Sequence, residues 1–237
     1  IPFVLLGTGL LWFGWFGFNA GSALSANAQA TQAFLTTHVA SATAMLTWMA
    51  IEWFRNGSFT ALGACIGAVV GLVAITPAAG FVSIGASVII GAVSTSVSFA
   101  VVQWRTRTNI DDTLDVFPCH GVGGIVGMLL TAVFANDVGL IHGEYKTMMA
   151  HLFGLVVVVG YTGAMAFVGL KLIQKFTPLE VESTEENSKQ DYEEFTSTNK
   201  QPVSKKIMNQ QTMIASSKGA AADKQSMIAD KQSVMFN

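Results

Sequence analysis

Charge is what this chain has least of. Only 12% of its 237 residues are Asp, Glu, Lys or Arg, against roughly 25% in an ordinary soluble domain. No charged residue occurs in 1–51 or in 56–104, which excludes an ordinary solvated surface over those stretches. An excess of either sign is also lacking. The net charge of -2 removes the basic footprint that a nucleic-acid partner needs. Cysteine is nearly absent. Cys65 and Cys119 both fall in apolar runs, so they read as small packing residues and exclude a disulfide framework. The first residues lack a basic n-region and a polar c-region, so they read as a span rather than a signal peptide. With no initiator Met, the chain is expected to begin partway through a longer protein. There is no nucleotide loop, no nucleophile elbow and no zinc spacing. The sequence therefore offers no enzyme chemistry, no catalytic residue, no metal site and no cofactor.

What is there is apolar length. A bilayer-spanning helix needs about 20 mostly apolar residues, and six segments qualify: about Ile1–Leu24, Ala33–Trp53, Ala61–Ile75, Phe81–Trp104, Val116–Ala135 and Thr147–Leu172. The third is short and ends at Thr76-Pro77. The expected fold class is an all-α polytopic membrane protein, with residues 1–176 in the membrane region. If the spans alternate, Arg55, Arg105, Arg107, Lys171 and Lys175 flank them on one side and only Lys146 on the other. Basic residues favour the cytoplasm, so both chain ends are expected there. Glycine is abundant, with 23 copies. The spacing Gly63–Gly67–Gly71 puts small residues on one helix face, where helices pack closely in lipid. The tail, 177–237, is rich in Lys, Ser, Gln, Thr and Glu and is expected to be disordered and cytoplasmic. It repeats "ADKQSMI" (222–228) as "ADKQSVM" (229–235), too briefly to predict a coiled coil.

Two stretches carry candidate chemistry. In "DVFPCHGVGG" (Asp115 to Gly124) an imidazole, His120, enters a span. An ionisable group within a span points to function by default; a histidine hydrogen-bonded to a neighbouring helix is the alternative. Asp115 is expected to cap the helix, with Pro118 in its first turn. On an α-helix the neighbours of His120 are Gly123, Gly124 and Gly127, a stripe that either hugs another helix or leaves open space beside the ring. In "WFGFNAGSA" (Trp15 to Ala23) the aromatics Trp12, Trp15 and Phe18 fall close to one face, with Ser22 four residues past Phe18. The stretch reads either as an interfacial aromatic belt or as a vestibule, in which rings attract a cation and a hydroxyl accepts a hydrogen bond. His38 and His151 read as packing residues and His142 as a loop residue. Glu52 is expected to pair with Arg55. "NIDDTLD" (Asn109 to Asp115) reads as a capped loop rather than a metal loop.

Together "GWFGFNAGSA" (Gly14 to Ala23), "GACIGAVVGLVAITPAAGF" (Gly63 to Phe81) and "DDTLDVFPCHGVGGIVG" (Asp111 to Gly127) resemble the signatures of the ammonium transporter (Amt/MEP/Rh) family, nearest its Amt/MEP branch. The resemblance covers about residues 1–176, with three motifs in the family's order. It implies an eleven-helix fold whose first ten spans are two inverted five-helix repeats, assembled as a homotrimer in the plasma membrane. This chain resembles spans six to eleven, its six helices being the second repeat and the last span, followed by the tail. The implied substrate is ammonium, and the implied surroundings are the lipid bilayer. By the same resemblance His120 matches the second of two pore histidines, and Phe18 matches one of two stacked gate phenylalanines. Ser22 matches the hydroxyl of the outer ammonium recruitment site, and Trp15 a tryptophan beside it. The tail reads "TPLEVESTEENSKQDYEEF" (Thr177 to Phe195) and lacks the family's Gly-Leu-Asp and His-Gly-Glu segments. Two other functions stay open: an ammonium sensor signalling through its tail, and another proton-coupled transporter that carries a histidine.

Overall fold

The computed structural model describes residues 1–108 and 110–177. The expectations placed on the tail, including its seven-residue repeat, lie outside the described residues. Among these residues the chain is all helical: α1 (Pro2–Gly21), α2 (Ala28–Asn56), α3 (Ala61–Ile75), α4 (Ile84–Arg105), α5 (Gly123–Phe134) and α6 (Tyr145–Ile173). A π-helical turn, Phe117–Val122, leads into α5, and a 3-10 turn, Leu140–His142, precedes α6. Counting the π turn with α5, five segments are long and apolar enough to cross a bilayer, whereas α3 has only 15 residues.

Capping chemistry explains the starts of the middle helices. The Asn27 side chain accepts from Ala30 N at 2.9 Å, Thr60 from Gly63 N at 2.9 Å, and Ser83 from Ala86 N at 3.2 Å. Each satisfies an N–H that the first helical turn leaves without a partner. At the other end of α2, Gly57 adopts φ 72 and returns its N–H to Trp53 O, a left-handed stop suited to glycine.

Small residues decide the packing. At the positions where Gly67 and Gly71 would carry a Cβ, the nearest atoms belong to Trp48, Ala44, Met45, Ser41 and Ala40 of α2, many of them backbone. The Gly63–Gly67–Gly71 face is therefore the α2–α3 seam, as the spacing predicts. Across it the Ser41 hydroxyl donates to Ala68 O at 2.8 Å. On the α4 side Gly91 lies against the Ala40 carbonyl. Buried positions on α2 are Ala, Ser and Thr apart from Trp48, because close backbone approach, rather than apolar bulk, joins helices in lipid. The contacts also set directions. Asn19 near the end of α1 meets Thr37 early in α2, Ser41 meets Ala68, and Arg55 meets Gln103. Gly123 meets Val70 and Gly127 meets Ala74. Thus α3 and α5 run parallel, α4 runs with α2, and α1 and α3 run opposite to α2.

One expectation changes here. Glu52 does not pair with Arg55. Its carboxylate accepts from the backbone N of Thr60 at 2.7 Å, from the Thr60 hydroxyl, and from Trp48 Nε1 at 3.3 Å. It thus ties the end of α2 to the start of α3. Arg55 reaches Gln103 Oε1 at 3.4 Å and lies 5.3 Å from the centre of the Phe99 ring. The pairing fails because the unpaired N–H of a helix start is a better partner for a half-buried carboxylate than an exposed guanidinium. By contrast, His151 is structural as expected, with its Nδ1 2.9 Å from Met128 O. That contact holds α6 to α5; no residue of α6 is buried.

Candidate functional site

The first candidate site is built on the last turns of α1. The Trp15 indole N–H donates to Thr76 Oγ1 at 2.8 Å, and the Thr76 hydroxyl in turn donates to Leu72 O at 2.7 Å. Trp15 is therefore pinned to the end of α3, and its polar handle is already used. What it presents is ring surface, and Phe18 stands edge-on to it, with centroids 5.9 Å apart and planes at 70°. Phe18 itself is 61% exposed. Next to it Asn19 is buried, and its amide donates to Thr37 Oγ1 at 2.9 Å, locking α1 to α2. The Ser22 hydroxyl donates its one proton back to Phe18 O at 2.8 Å. Its oxygen keeps free lone pairs, so toward a ligand Ser22 acts as an acceptor. The arrangement offers an exposed aromatic ring and an oriented hydroxyl oxygen, the groups that suit a donor-rich cation.

Trp12 does not join that face. Its ring lies 5.5 Å from the His38 ring, which also lies 6.0 Å from Phe16, while Phe16 stacks on Phe34 at 4.1 Å. These rings, with Gly9 and Phe13, line an open hollow of about 490 Å³ between α1 and α2. His38 packs on Trp12 and Phe16, in line with its reading as a packing residue, and its remaining surface is exposed in the hollow.

The second candidate site is the π turn carrying His120. Asp115 is not its cap. The carboxylate of Asp112 accepts from Val116 N and Phe117 N, each at 2.8 Å. Asp115 adopts φ 52, a left-handed conformation that Asp tolerates better than most residues, and its carboxylate takes two bonds from Arg105, at 3.0 and 2.7 Å. Capping thus passes to the carboxylate three residues earlier, because Asp115 is held by the last turn of α4. Replacing Asp112 by alanine is expected to lower stability by about 1 kcal/mol, read as a fall in melting temperature in detergent.

The π turn also changes which residues share a face. An i→i+5 turn breaks the α-helical spacing on which the glycine stripe rests. Gly123 and Gly127 are buried against α3 and α4, with Gly127 directly on the Ala74 carbonyl. His120 is exposed, and its ring has no hydrogen-bond partner among the described residues. The glycines are a packing seam, and the imidazole faces away from it. Such π turns recur at functional positions.

The two candidate sites do not touch; α3 stands between them. Trp15 meets α3 at Thr76 and Gly123 meets it at Val70. Six residues of α-helix rise about 9 Å, so Phe18 and Ser22 lie beyond the Thr76 end while His120 lies toward the start of α3. Thr76, Asn19, Asp112 and Arg105 hold these parts in place, and none of them stands out by residue type. The one visible signal is Thr76-Pro77 at the end of α3. Among the described residues no group of His, Cys, Asp and Glu is placed to hold a metal ion.

A family model described as the Ammonium Transporter Family matches residues 1–200. The chain is 45% identical over 192 residues to an ammonium transporter of Aquifex aeolicus, covering 78% of this chain and 45% of that protein. The crystal structure of Candida albicans Mep2 superposes with a TM-score of 0.71 at 36% identity, covering 76% of this chain and 43% of that one. A structure described as a sensor Amt protein superposes with a TM-score of 0.70 at 28% identity, over 77% of this chain and 46% of that one. The chain spans about half the length of the curated relatives it matches.

Proposed function

The chain belongs to the ammonium transporter family, a multi-pass membrane family, and from that premise we propose that the protein takes up ammonium across the plasma membrane as a homotrimer, with its tail in the cytoplasm and without enzymatic activity. The single observation that carries this reading is the family match over residues 1–200, which includes both candidate sites.

The chemistry of the sites supports a sequence of steps. Carrying a hydrated cation through hydrocarbon is costly. At the outer site Phe18 and Trp15 offer ring surface, and the Ser22 oxygen accepts an ammonium N–H, replacing part of the hydration shell. Phe18 gates the way inward. Past it, ammonium gives up a proton, and neutral ammonia crosses an apolar passage at little electrostatic cost. The exposed imidazole of His120 supplies a ring nitrogen that hydrogen-bonds the passing molecule and takes part in moving the proton. The resemblance implies a second imidazole outside these residues. Potassium has no proton to give up, so it is excluded.

The test is ammonium-evoked current and uptake by the full-length protein reconstituted in proteoliposomes, with potassium as the control ion. Ammonium-dependent signal without potassium signal is the expected result. Binding without flux would favour a sensor instead, a second reading that the likeness to a sensor Amt structure supports.

A further inference from the structure

Three hydroxyls on α4 have no part in the steps above. Ser94, Thr95 and Ser98 are fully buried, each with 0% exposure, and their oxygens have no hydrogen-bond partner among the described residues. Helical serines in apolar surroundings commonly close onto the carbonyl four residues earlier, as Ser96 does on Ala92 O at 2.8 Å. Ser94 and Ser98 do not. Buried hydroxyls are nearly always bonded to protein or to an enclosed water, so three unpaired ones on consecutive turns point to a partner that the chain itself does not supply.

The surroundings say what kind. Ser94 and Ser98 are four residues apart and share a helix face. Ser98 Oγ lies 3.6 Å from the point where a Cβ would stand on Gly123, with methyls of Val70 and Val73 at 3.7 and 3.8 Å from the same point. All three are ordinary contact distances, so the space beside Ser98 takes a methyl carried by Gly123 without a clash. It lies three residues along the chain from His120. The neighbouring lengths of α3 and α4 carry no charged residue from Ala61 to Trp104, so nothing there offsets the dehydration of a cation. A neutral molecule that both donates and accepts fits. We propose that Ser98, beside the bare backbone of Gly123, and Ser94, one turn earlier on α4, form a binding niche for one small neutral hydrogen-bonding molecule, water or ammonia, near the π turn.

The experiment is a high-resolution structure of the full-length protein, prepared without ammonium and again in ammonium chloride, for the parent and for Gly123→Ala. The added methyl fits by the distances above and occupies the space next to Ser98. The expected result is a density peak within hydrogen-bond distance of Ser98 Oγ in the parent that is lost in Gly123→Ala. A peak in both preparations identifies water; a peak only with ammonium identifies ammonia. The ammonia outcome rests on the transport reading, whose own failure would show separately as absent uptake by the parent. No peak in either preparation, with the Ser98 hydroxyl closed onto the Ser94 carbonyl, would overturn the proposal.

Discussion

Replacing His120 by alanine in the full-length protein is expected to cut ammonium uptake about tenfold, equivalent to about 1.4 kcal/mol of barrier, and to weaken exclusion of potassium. The reasoning runs from exposure to chemistry. Among the described residues His120 is exposed and its ring bonds to nothing, so its removal breaks no contact within this chain, and the amount of folded full-length protein is measured alongside uptake. On the proposed transport reading, what is lost is a ring nitrogen in an otherwise apolar passage. Neutral ammonia loses a hydrogen-bond partner there, and the proton loses a carrier. Uptake and current in proteoliposomes, normalised to protein reconstituted, provide the measurement. Unchanged uptake with unchanged potassium exclusion would remove His120 from the pore.

Replacing Gly71 by leucine is expected to destabilise the protein by about 3 kcal/mol or more, at the upper end for overpacked cores. Even a first carbon on Gly71 would stand 2.6 Å from Ala44 Cβ, 2.6 Å from Ser41 Cα and 2.7 Å from Ala40 O. Two of those three atoms are backbone, so no rotamer change relieves the clash, and α2 and α3 must separate. Separation also breaks the Ser41 to Ala68 hydrogen bond. The readout is loss of monodisperse protein on detergent size exclusion, or a melting temperature lowered by several degrees. Gly123→Ala, where the added carbon meets its neighbours at 3.6 Å or more, serves as the tolerated control. Equal stability of the two variants would contradict the seam.

The contrast between these positions shows how far the pattern of residues reaches. The α3 glycine face is legible because α3 is a regular helix, so four-residue spacing maps directly onto geometry. The same rule applied past His120 misleads. Gly123, Gly124 and Gly127 appear to lie beside the imidazole only if the helix is α throughout, and the π turn at Phe117–Val122 turns the ring away. Nothing in residue types announces that turn, and its start is held by the partners that Asp112 and Asp115 find. Those partners lie on the following backbone and on Arg105. Glu52 repeats the lesson. Arg55 is its near neighbour in sequence, but the free N–H at Thr60 is its partner in space.

By itself, the sequence determined the class of solvent, the succession of helices, the α2–α3 glycine seam and the family. All of these rest on composition, local periodicity and contiguous motifs, which need no knowledge of distant contacts. Only the tertiary structure decided that Trp15 spends its N–H on Thr76, that Ser22 faces outward as an acceptor, that Asp112 rather than Asp115 caps the π turn, and that His120 points away from its glycines. The Trp15 pairing is made only when α1 packs on α3, and Asp115 leaves the cap to Asp112 because Arg105 of α4 holds it; which group finds which partner is settled in space rather than by residue type.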